Sequence, residues 1–408
     1  MKRLKMLGFA LGVLTVLGVT QASAVPGFAR KYGVSCTACH SAWPTLNEHG
    51  REFKLNGYRQ EREEVAGSKE TKEISGIKIP SAFPLSAIVK SRPYDKKNNG
   101  DLEFRSRALH ELELFIADGG IGGDFSYYTE IEMEDEPDAR TVGGNDAGAF
   151  TPIFGMLQAG WHPKEWGNVV VAYRSFFDMD PYQTLGQDGR VTLSKRLALN
   201  EGQAANHSLS AEMQTTMAYG EISREGIGSL YYAAGMTADA DDSEGKGGKD
   251  ANVRLAYDCM KGGMIGVFAS KGTTGLVTRT VGVSRYDQSR MGVDMLVEAM
   301  GLTVRGAGVY FYDKERGSNT RYNNRGGYIE AFYPIKIEGK PTIVPTLRQD
   351  YITTNDGRNH SAYLTAQLAA YLKPNIKSLV EYSGQTSKWP RTATGKDHRW
   401  GVQFELGF

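Results

Sequence analysis

From Ser81 to the C-terminus the chain alternates between apolar and polar residues with a period of two. Each run is about ten residues long and ends in a turn or a polar loop, as in membrane strands with one lipid face and one wet face. The final strand shows this best, because Trp400, Val402, Phe404, Leu406 and Phe408 all point to one side. A soluble β-sandwich is the alternative that alternation alone leaves open.

Seventeen segments carry the alternation: 83–92, 104–117, 123–134, 152–163, 168–177, 211–222, 227–237, 251–259, 263–271, 275–286, 291–299, 302–313, 325–336, 341–352, 361–372, 376–384 and 399–408. Single-chain bacterial barrels have even strand numbers, so at least one candidate is spurious. The runs between 251 and 286 follow one another too closely, which places the error there. We therefore predict an all-β fold, a transmembrane antiparallel β-barrel of 16 strands over residues 80–408.

The connections alternate between tight turns and long polar loops. Tight turns occur at 338–340 and 373–375, and long loops at 239–250, 313–324 and 385–398. In such barrels the short turns face the periplasm and the long loops face the exterior. The stretch 178–210 is too long for a turn; a surface loop is its default interpretation, and folding into the lumen as a constriction is the alternative.

The first 24 residues have the features of a cleaved secretory signal. Lys2, Arg3 and Lys5 precede an apolar stretch from residue 6 to 19, and Ala22-Ser23-Ala24 resembles a cleavage site. A membrane anchor is the alternative, but the apolar stretch is short for a span of about 20 residues. Cleavage near Val25 changes the formal charge from +1 to 1 − 3 = −2, which gives no indication of nucleic-acid binding. Export and a barrel together predict the outer membrane, with lipid around the barrel.

Cys36-Thr37-Ala38-Cys39-His40 is the C-x-x-C-H pattern of covalent c-type haem attachment. Each thiol can form a thioether with one haem vinyl group, and the histidine then supplies the proximal iron ligand. Half of a zinc site or a thioredoxin-like redox pair are the alternatives, but neither further ligands at matching spacing nor a βαβ pattern is visible. The sequence predicts one covalent haem c, in a segment of helical and irregular structure from residue 25 to 79.

The distal haem ligand is open, because residues 25–79 contain no methionine and His49 is the other histidine there. His49 is either the distal ligand or a solvent-exposed residue in a turn with Gly50. The charged stretch 59–73 is interpreted as a linker or solvated surface. A segment this short buries little core of its own, so we expect it to pack inside or under the barrel, with its N-terminus in the periplasm or the lumen.

Several predicted inward-facing positions are acidic: Glu111, Glu113, Asp124, Glu130, Glu132 and Glu134. Acidic residues that line a lumen attract cations, and Glu111, Glu113, Glu130 and Glu132 are the candidates for this role. The alternative is that a wet lumen tolerates any polar residue.

The residues around the haem motif sharpen this picture: Val25-Pro26-Gly27-Phe28-Ala29-Arg30-Lys31-Tyr32-Gly33, then Pro44, Leu46-Asn47, Gly50, Phe53 and Gly57-Tyr58. They resemble the fused cytochrome–porin family of outer-membrane iron oxidases of iron-oxidising bacteria. The resemblance implies that ferrous iron gives up an electron at the cell surface and that a periplasmic c-type cytochrome carries it away. It implies that Cys36 and Cys39 attach the haem and that His40 ligates its iron, whereas it assigns no catalytic iron-oxidation residue.

A second hypothesis is a diffusion porin whose haem segment is a plug, a sensor or an outward electron conduit. An acidic iron site at the outer mouth and a haem lodged in the barrel favour the oxidase, whereas an unobstructed lumen with measurable solute conductance favours the porin. Many porins trimerise, so a homo-trimer is compatible with either hypothesis.

Overall fold

The computed structural model describes residues 27–61, 71–74, 77–80, 84–98, 102–135, 152–199, 209, 213–239, 249–259, 262–278, 282–338, 340–354, 356–373, 375–389 and 397–408. The predicted signal and its cleavage site lie outside these residues. The N-terminal segment, residues 27–61, contains α1 (Gly27–Tyr32), a 3-10 turn (Cys36–Ala38), β1 (His40–Ala42), β2 (Thr45–Leu46) and α2 (Glu48–Leu55). β3 (Thr71–Ile74) and β4 (Ile77–Pro80) then form an antiparallel hairpin, in part of what was interpreted as a linker.

The remaining strands close into one antiparallel barrel. They are β5 (Leu85–Asn98), β6 (Leu102–Ile121), β7 (Phe125–Glu134), β8 (Ile153–Lys164), β9 (Gly167–Tyr173), β10 (Met213–Arg224), β11 (Gly228–Asp239), β12 (Lys249–Asp258), β13 (Gly263–Thr278), β14 (Gly282–Ala299), β15 (Leu302–Glu315), β16 (Arg321–Phe332), β17 (Ile335–Ile337), β18 (Lys340–Thr354), β19 (Asn359–Lys373), β20 (Ile376–Trp389) and β21 (His398–Gly407). β21 pairs with β5 and closes the ring, with Trp400 opposite Lys96 and Leu406 opposite Val89.

The predicted strand number is confirmed. β16 and β17 both pair with β18, so they are two parts of one interrupted span, and the described barrel has 16 spans. The spurious candidate lies where it was placed: β13 and β14 replace the three predicted runs 263–271, 275–286 and 291–299.

The two faces of the wall differ as the alternation predicts. On β21, Phe404 and Leu406 are each 41% exposed on the outside, whereas Gln403 is 2% exposed on the inside. A closed barrel with an apolar exterior satisfies every ladder hydrogen bond within the wall, which is what a bilayer requires. Among the described residues, no helix is long and apolar enough to cross a bilayer.

The connections divide the barrel into two ends. The short turns at 122–124, 165–166, 225–227 and 300–301 lie at one end, here called the turn end, together with the C-terminal residue Phe408. The opposite end, where β7 and β9 end and β8 and β10 begin, is here called the loop end, because longer stretches of sequence separate those strands.

Residues 174–199, here called the in-folded loop, follow β9 and turn into the lumen. Phe176, Phe177 and Leu185 are buried against the inner faces of β10 to β16, in one apolar cluster that includes the wall residue Phe268. The loop is also pinned by charge, because Arg348 on β18 donates to the carbonyls of Ser194 and Lys195 at 2.9 and 2.8 Å. The default interpretation of a surface loop is therefore wrong, and the lumen alternative is correct.

The N-terminal segment lies inside the barrel near the turn end. Arg51 of α2 forms an ion pair with Glu298 of β14 at 2.9 Å, and Lys31 of α1 forms one with Asp118 of β6 at 2.8 Å. Arg59 is 1% exposed and donates to the carbonyls of Gly123 and His162. Arg59 was interpreted as the start of a solvated linker, which is wrong, because its charge is needed to bind the wall.

Candidate functional site

The C-x-x-C-H motif forms a single compact turn. Cys36–Ala38 is a 3-10 turn in which the Cys39 amide donates to the Cys36 carbonyl at 3.3 Å, and His40 then begins β1. Two thiols and an imidazole are therefore presented from one turn of chain, as covalent attachment of a rigid macrocycle requires.

Asn47 holds this turn against α2. Its side-chain amide donates to the Ala38 carbonyl at 3.0 Å, its side-chain oxygen caps α2 by accepting from Gly50, and its own amide donates to Cys39 at 3.0 Å. Gly50 is needed for the close approach, because a Cβ there would overlap the Cys39 carbonyl oxygen. Asn47 and Gly50, two of the residues that carry the family resemblance, thus hold the haem-attachment turn against α2.

His40 is prepared to act as a neutral ligand. Its Nδ1 lies 3.2 Å from the Pro44 carbonyl, an acceptor that fixes the proton on Nδ1 and leaves the Nε2 lone pair available. Burial lowers the pKa of His40 to about 4, so the imidazole is neutral at physiological pH. The Trp43 ring lies edge-on with its centroid 4.6 Å from the imidazole, which restricts the ring further.

The two thiols differ from a redox or zinc pair. Burial raises the pKa of Cys36 and of Cys39, and the neighbouring Cys36 raises that of Cys39 further, whereas redox-active pairs have a lowered thiol pKa. Within the described ranges, no third Cys, His, Asp or Glu side chain joins these groups in a metal-binding cluster. The residues present therefore fit a covalent haem better than either alternative.

His49 lies in the first turn of α2 and is exposed. The alternative of a solvent-exposed turn residue is therefore correct about exposure, but the residue is helical and does not lie in a turn. It lines the same cavity as His40. Whether it ligates iron stays a prediction.

The haem motif opens onto a cavity of about 1210 Å³, which exceeds the ~300–1,000 Å³ of ordinary small-molecule sites. The N-terminal segment forms one side of this cavity and the in-folded loop another. The inner face of β5 to β8 forms a third side, which is strongly charged.

Four glutamates of β6 and β7 stand on this third side and are here called the glutamate cluster: Glu111, Glu113, Glu130 and Glu132. Carboxylate oxygens of three of them, all except Glu130, lie within 4.8 Å of one another. Lys90 of β5 forms ion pairs with Glu111 at 3.0 Å and with Glu113 at 2.5 Å. With Lys90 the cluster has a formal charge of −4 + 1 = −3, and its members face the lumen as predicted.

The two other acidic predictions have different outcomes. Glu134 lines the cavity, whereas Asp124 lies in the turn between β6 and β7 and is 47% exposed beside Arg59. The prediction of Asp124 as an inward strand residue is wrong, because β7 begins one residue later, at Phe125, and Asp124 belongs to the preceding turn.

Sequence reasoning missed the basic residues of the site. Lys54 of α2 lies against the in-folded loop and donates to the carbonyls of Asp178 and Asp180 at 3.4 and 3.3 Å. Burial first, and then Arg174, lower its pKa to about 7. Arg174 lines the same cavity and pairs with Asp188. The sequence signal for the in-folded loop was that residues 178–210 are rich in both apolar and charged residues, which is unusual for a surface loop.

Comparison with known proteins shows the fold. No protein-family model and no curated protein sequence matches the chain. The trimer form of OmpT from Vibrio cholerae is 10% identical, with a TM-score of 0.52 over 80% of this chain and 100% of that one. An anion-selective porin from Comamonas acidovorans is 13% identical (TM-score 0.52; 80% and 99% covered), and Salmonella typhi OmpF in complex with daunomycin is 12% identical (TM-score 0.52; 83% and 100% covered). The chain has the fold of outer-membrane porins.

Proposed function

We propose that this chain is an outer-membrane cytochrome–porin that oxidises extracellular ferrous iron and passes the electron through one covalent haem c to a periplasmic c-type cytochrome. The observation that carries the proposal is the position of the haem motif, which faces a lumen cavity that the glutamate cluster also lines. A soluble cytochrome has no reason to enclose its attachment site in a membrane barrel, whereas an electron carrier between two compartments does.

Three residues hold the group. Cys36 and Cys39 supply the thioether sulfurs, and His40 supplies Nε2 as the proximal ligand, because Nδ1 is occupied by the Pro44 carbonyl. The haem supplies a one-electron iron couple when bound. Side chains of the N-terminal segment would exclude bulk water on that side, where Phe28 stacks on Tyr58 and Phe53 packs edge-on against both.

The glutamate cluster guides the substrate. Ferrous iron is a divalent cation that carboxylate oxygens can bind, and four closely spaced carboxylates beside one lysine raise the local cation concentration at this part of the lumen wall. Iron that enters from the loop end reaches this wall before the turn end. Each ferrous ion that loses one electron leaves as ferric iron, so the product stays outside the cell.

The orientation follows from the connections. The turn end faces the periplasm and the loop end faces the exterior, as short turns and long loops do in bacterial barrels. The hydrocarbon core is about 30 Å thick, so a haem hung below the barrel would meet external iron only after the ion had diffused through the pore. A segment held inside the lumen near the turn end shortens the path to a periplasmic partner.

The direct test mixes purified, haem-loaded protein with ferrous iron under anaerobic conditions and records the haem absorbance. The spectrum should change to that of the reduced haem, with dithionite giving the full amplitude. Reduction by dithionite without reduction by ferrous iron would reject the iron-oxidase function.

A diffusion porin, with the haem as a plug or as part of an outward electron conduit, is the second candidate, and the porin fold favours it. Single-channel recordings distinguish the two, because the N-terminal segment and the in-folded loop occupy the lumen described above. The oxidase predicts low conductance, and a steady open-channel conductance supports the porin. Since one compared porin structure is a trimer form, analytical ultracentrifugation should also test for a homo-trimer.

A further inference from the structure

Arg190 of the in-folded loop lies beside the hairpin that begins with His40. Its two neighbours in the chain both contact that hairpin. The Gly189 carbonyl accepts from the Thr45 hydroxyl at 2.5 Å, and Val191 packs in one buried cluster with Ala42. Arg190 itself lines the cavity that Cys36, Cys39 and His40 share. The barrel therefore places a guanidinium in the cavity onto which the haem motif opens, although the motif belongs to another part of the chain.

This guanidinium lacks an anionic partner. Its Nη1 donates to the Gln187 carbonyl at 3.1 Å, and its buried Nε has no hydrogen-bond partner. Among the residues that the structure describes, no carboxylate lies within ion-pair distance of it. The neighbouring arginines of the region are paired, as Arg348 is with Asp350 at 2.8 Å.

The surroundings make the missing anion costly. Burial first, and then the charges of Arg196 and Arg348, lower the pKa of Arg190, and the carboxylates of Glu111 and Glu381, which form no ion pair with it, offset only part of that shift. A largely desolvated cation without a counter-ion is unfavourable, and a bound anion would offset that cost. A planar guanidinium binds a carboxylate through two parallel hydrogen bonds, which makes arginine the residue of choice for a fixed carboxylate.

We propose that Arg190 binds a propionate carboxylate of the haem attached to Cys36 and Cys39. The assignment rests on the proposed covalent haem and deepens it, because every haem c carries two propionates, on the edge of the ring opposite its two thioether bonds. The haem site is then built from two sources: the N-terminal segment supplies the covalent bonds and the axial ligand, and the in-folded loop of the barrel supplies the counter-charge. Arg190 is a positioning residue, since it does not touch the iron.

The test is a potentiometric titration of the full-length, haem-loaded protein, which needs no iron-oxidation assay. Arg190→Gln removes a positive charge and leaves a propionate charge uncompensated, and both changes disfavour the reduced haem. At the wild-type midpoint the ratio of reduced to oxidised haem should fall about tenfold, a shift of ~59 mV for one electron. Arg190→Lys keeps the charge without the double hydrogen bond, so its midpoint should lie between the two.

Arg316→Gln is the matched control, because Arg316 pairs with Asp287 on the exposed loop end and both side chains are about half exposed. Its midpoint should equal that of the wild type. Covalent haem with equal midpoints in the wild type and in both Arg190 variants would overturn this assignment alone. A wild-type protein without covalent haem would overturn the proposed function as well, so the two failures are distinguishable. If Arg190→Gln does not fold, an unshifted midpoint in Arg190→Lys overturns the assignment.

Discussion

Replacing Arg59 with alanine should release the N-terminal segment from the barrel wall. Arg59 is 1% exposed and donates across the interface to Gly123 at 2.5 Å and to His162 at 3.1 Å. A hydrogen bond from a charged group contributes ~1.5–3 kcal/mol, so the two together contribute ~3–6 kcal/mol to docking. The ion pair with Asp124 adds little, because its N–O distance is 3.7 Å and Asp124 is 47% exposed.

At about 1.4 kcal/mol per factor of ten, the opening equilibrium of the segment should rise by about 10² to 10⁴. Native-state proteolysis measures this equilibrium when the segment closes faster than it is cleaved. Trypsin should therefore remove the segment far faster from Arg59→Ala than from the wild type. Arg316→Ala is the control, since an exposed ion pair contributes ~0–1 kcal/mol. Equal cleavage rates in Arg59→Ala and Arg316→Ala would refute the anchoring role.

The remaining predictions concern the haem and its cavity. Cys36→Ala with Cys39→Ala should abolish covalent haem, seen as haem lost on acidic acetone extraction, while the barrel still inserts because its strands close on one another. His49→Ala should convert a low-spin absorption spectrum to a high-spin one if His49 is the distal ligand, and an unchanged spectrum would assign that ligand elsewhere. Glutamine at all four positions of the glutamate cluster should slow haem reduction by ferrous iron most at low ionic strength, and equal rates at every salt concentration would reject the guiding role. Lys54, whose pKa is lowered from 10.5 to about 7, binds its proton more readily when undocked, so docking should strengthen as pH rises from about 7 towards 10.5. Lys54→Met should abolish that pH dependence of proteolysis, and its persistence would reject the assignment.

The strands of the barrel wall were predictable, because successive residues of a strand point alternately to lipid and to the lumen and so leave an alternating pattern in the sequence. β21 shows this, with its aromatic residues outside and Gln403 inside. The β13–β14 hairpin misled the prediction because Gly272 and Gly275 resemble a turn. Gly272 lies instead in the interior of β13, where a Cβ would overlap the Asp250 side chain. A close approach of that kind has no signal in a single sequence.

The site was predictable where its chemistry is local and unpredictable where it depends on the lumen. The residues Cys36 to His40 and their support by Asn47 and Gly50 lie within fifteen residues of one another. Arg59, in contrast, has wall partners that only barrel closure brings near, and Arg190 lies beside the haem-motif hairpin because its neighbour Gly189 binds Thr45. A charged residue in a loop usually stays in water, and that expectation failed because the lumen encloses both segments.

Ferrous iron supplied outside right-side-out outer-membrane vesicles tests the central claim most directly. The vesicles should contain the wild-type protein without any soluble cytochrome, and haem absorbance should be followed by stopped-flow spectroscopy with dithionite as the full-reduction control. The account predicts that external ferrous iron reduces the haem, and that a reduced haem is reoxidised when an oxidised c-type cytochrome is enclosed in the vesicle. If dithionite reduces the haem but external ferrous iron does not, the proposed oxidation of extracellular ferrous iron is contradicted.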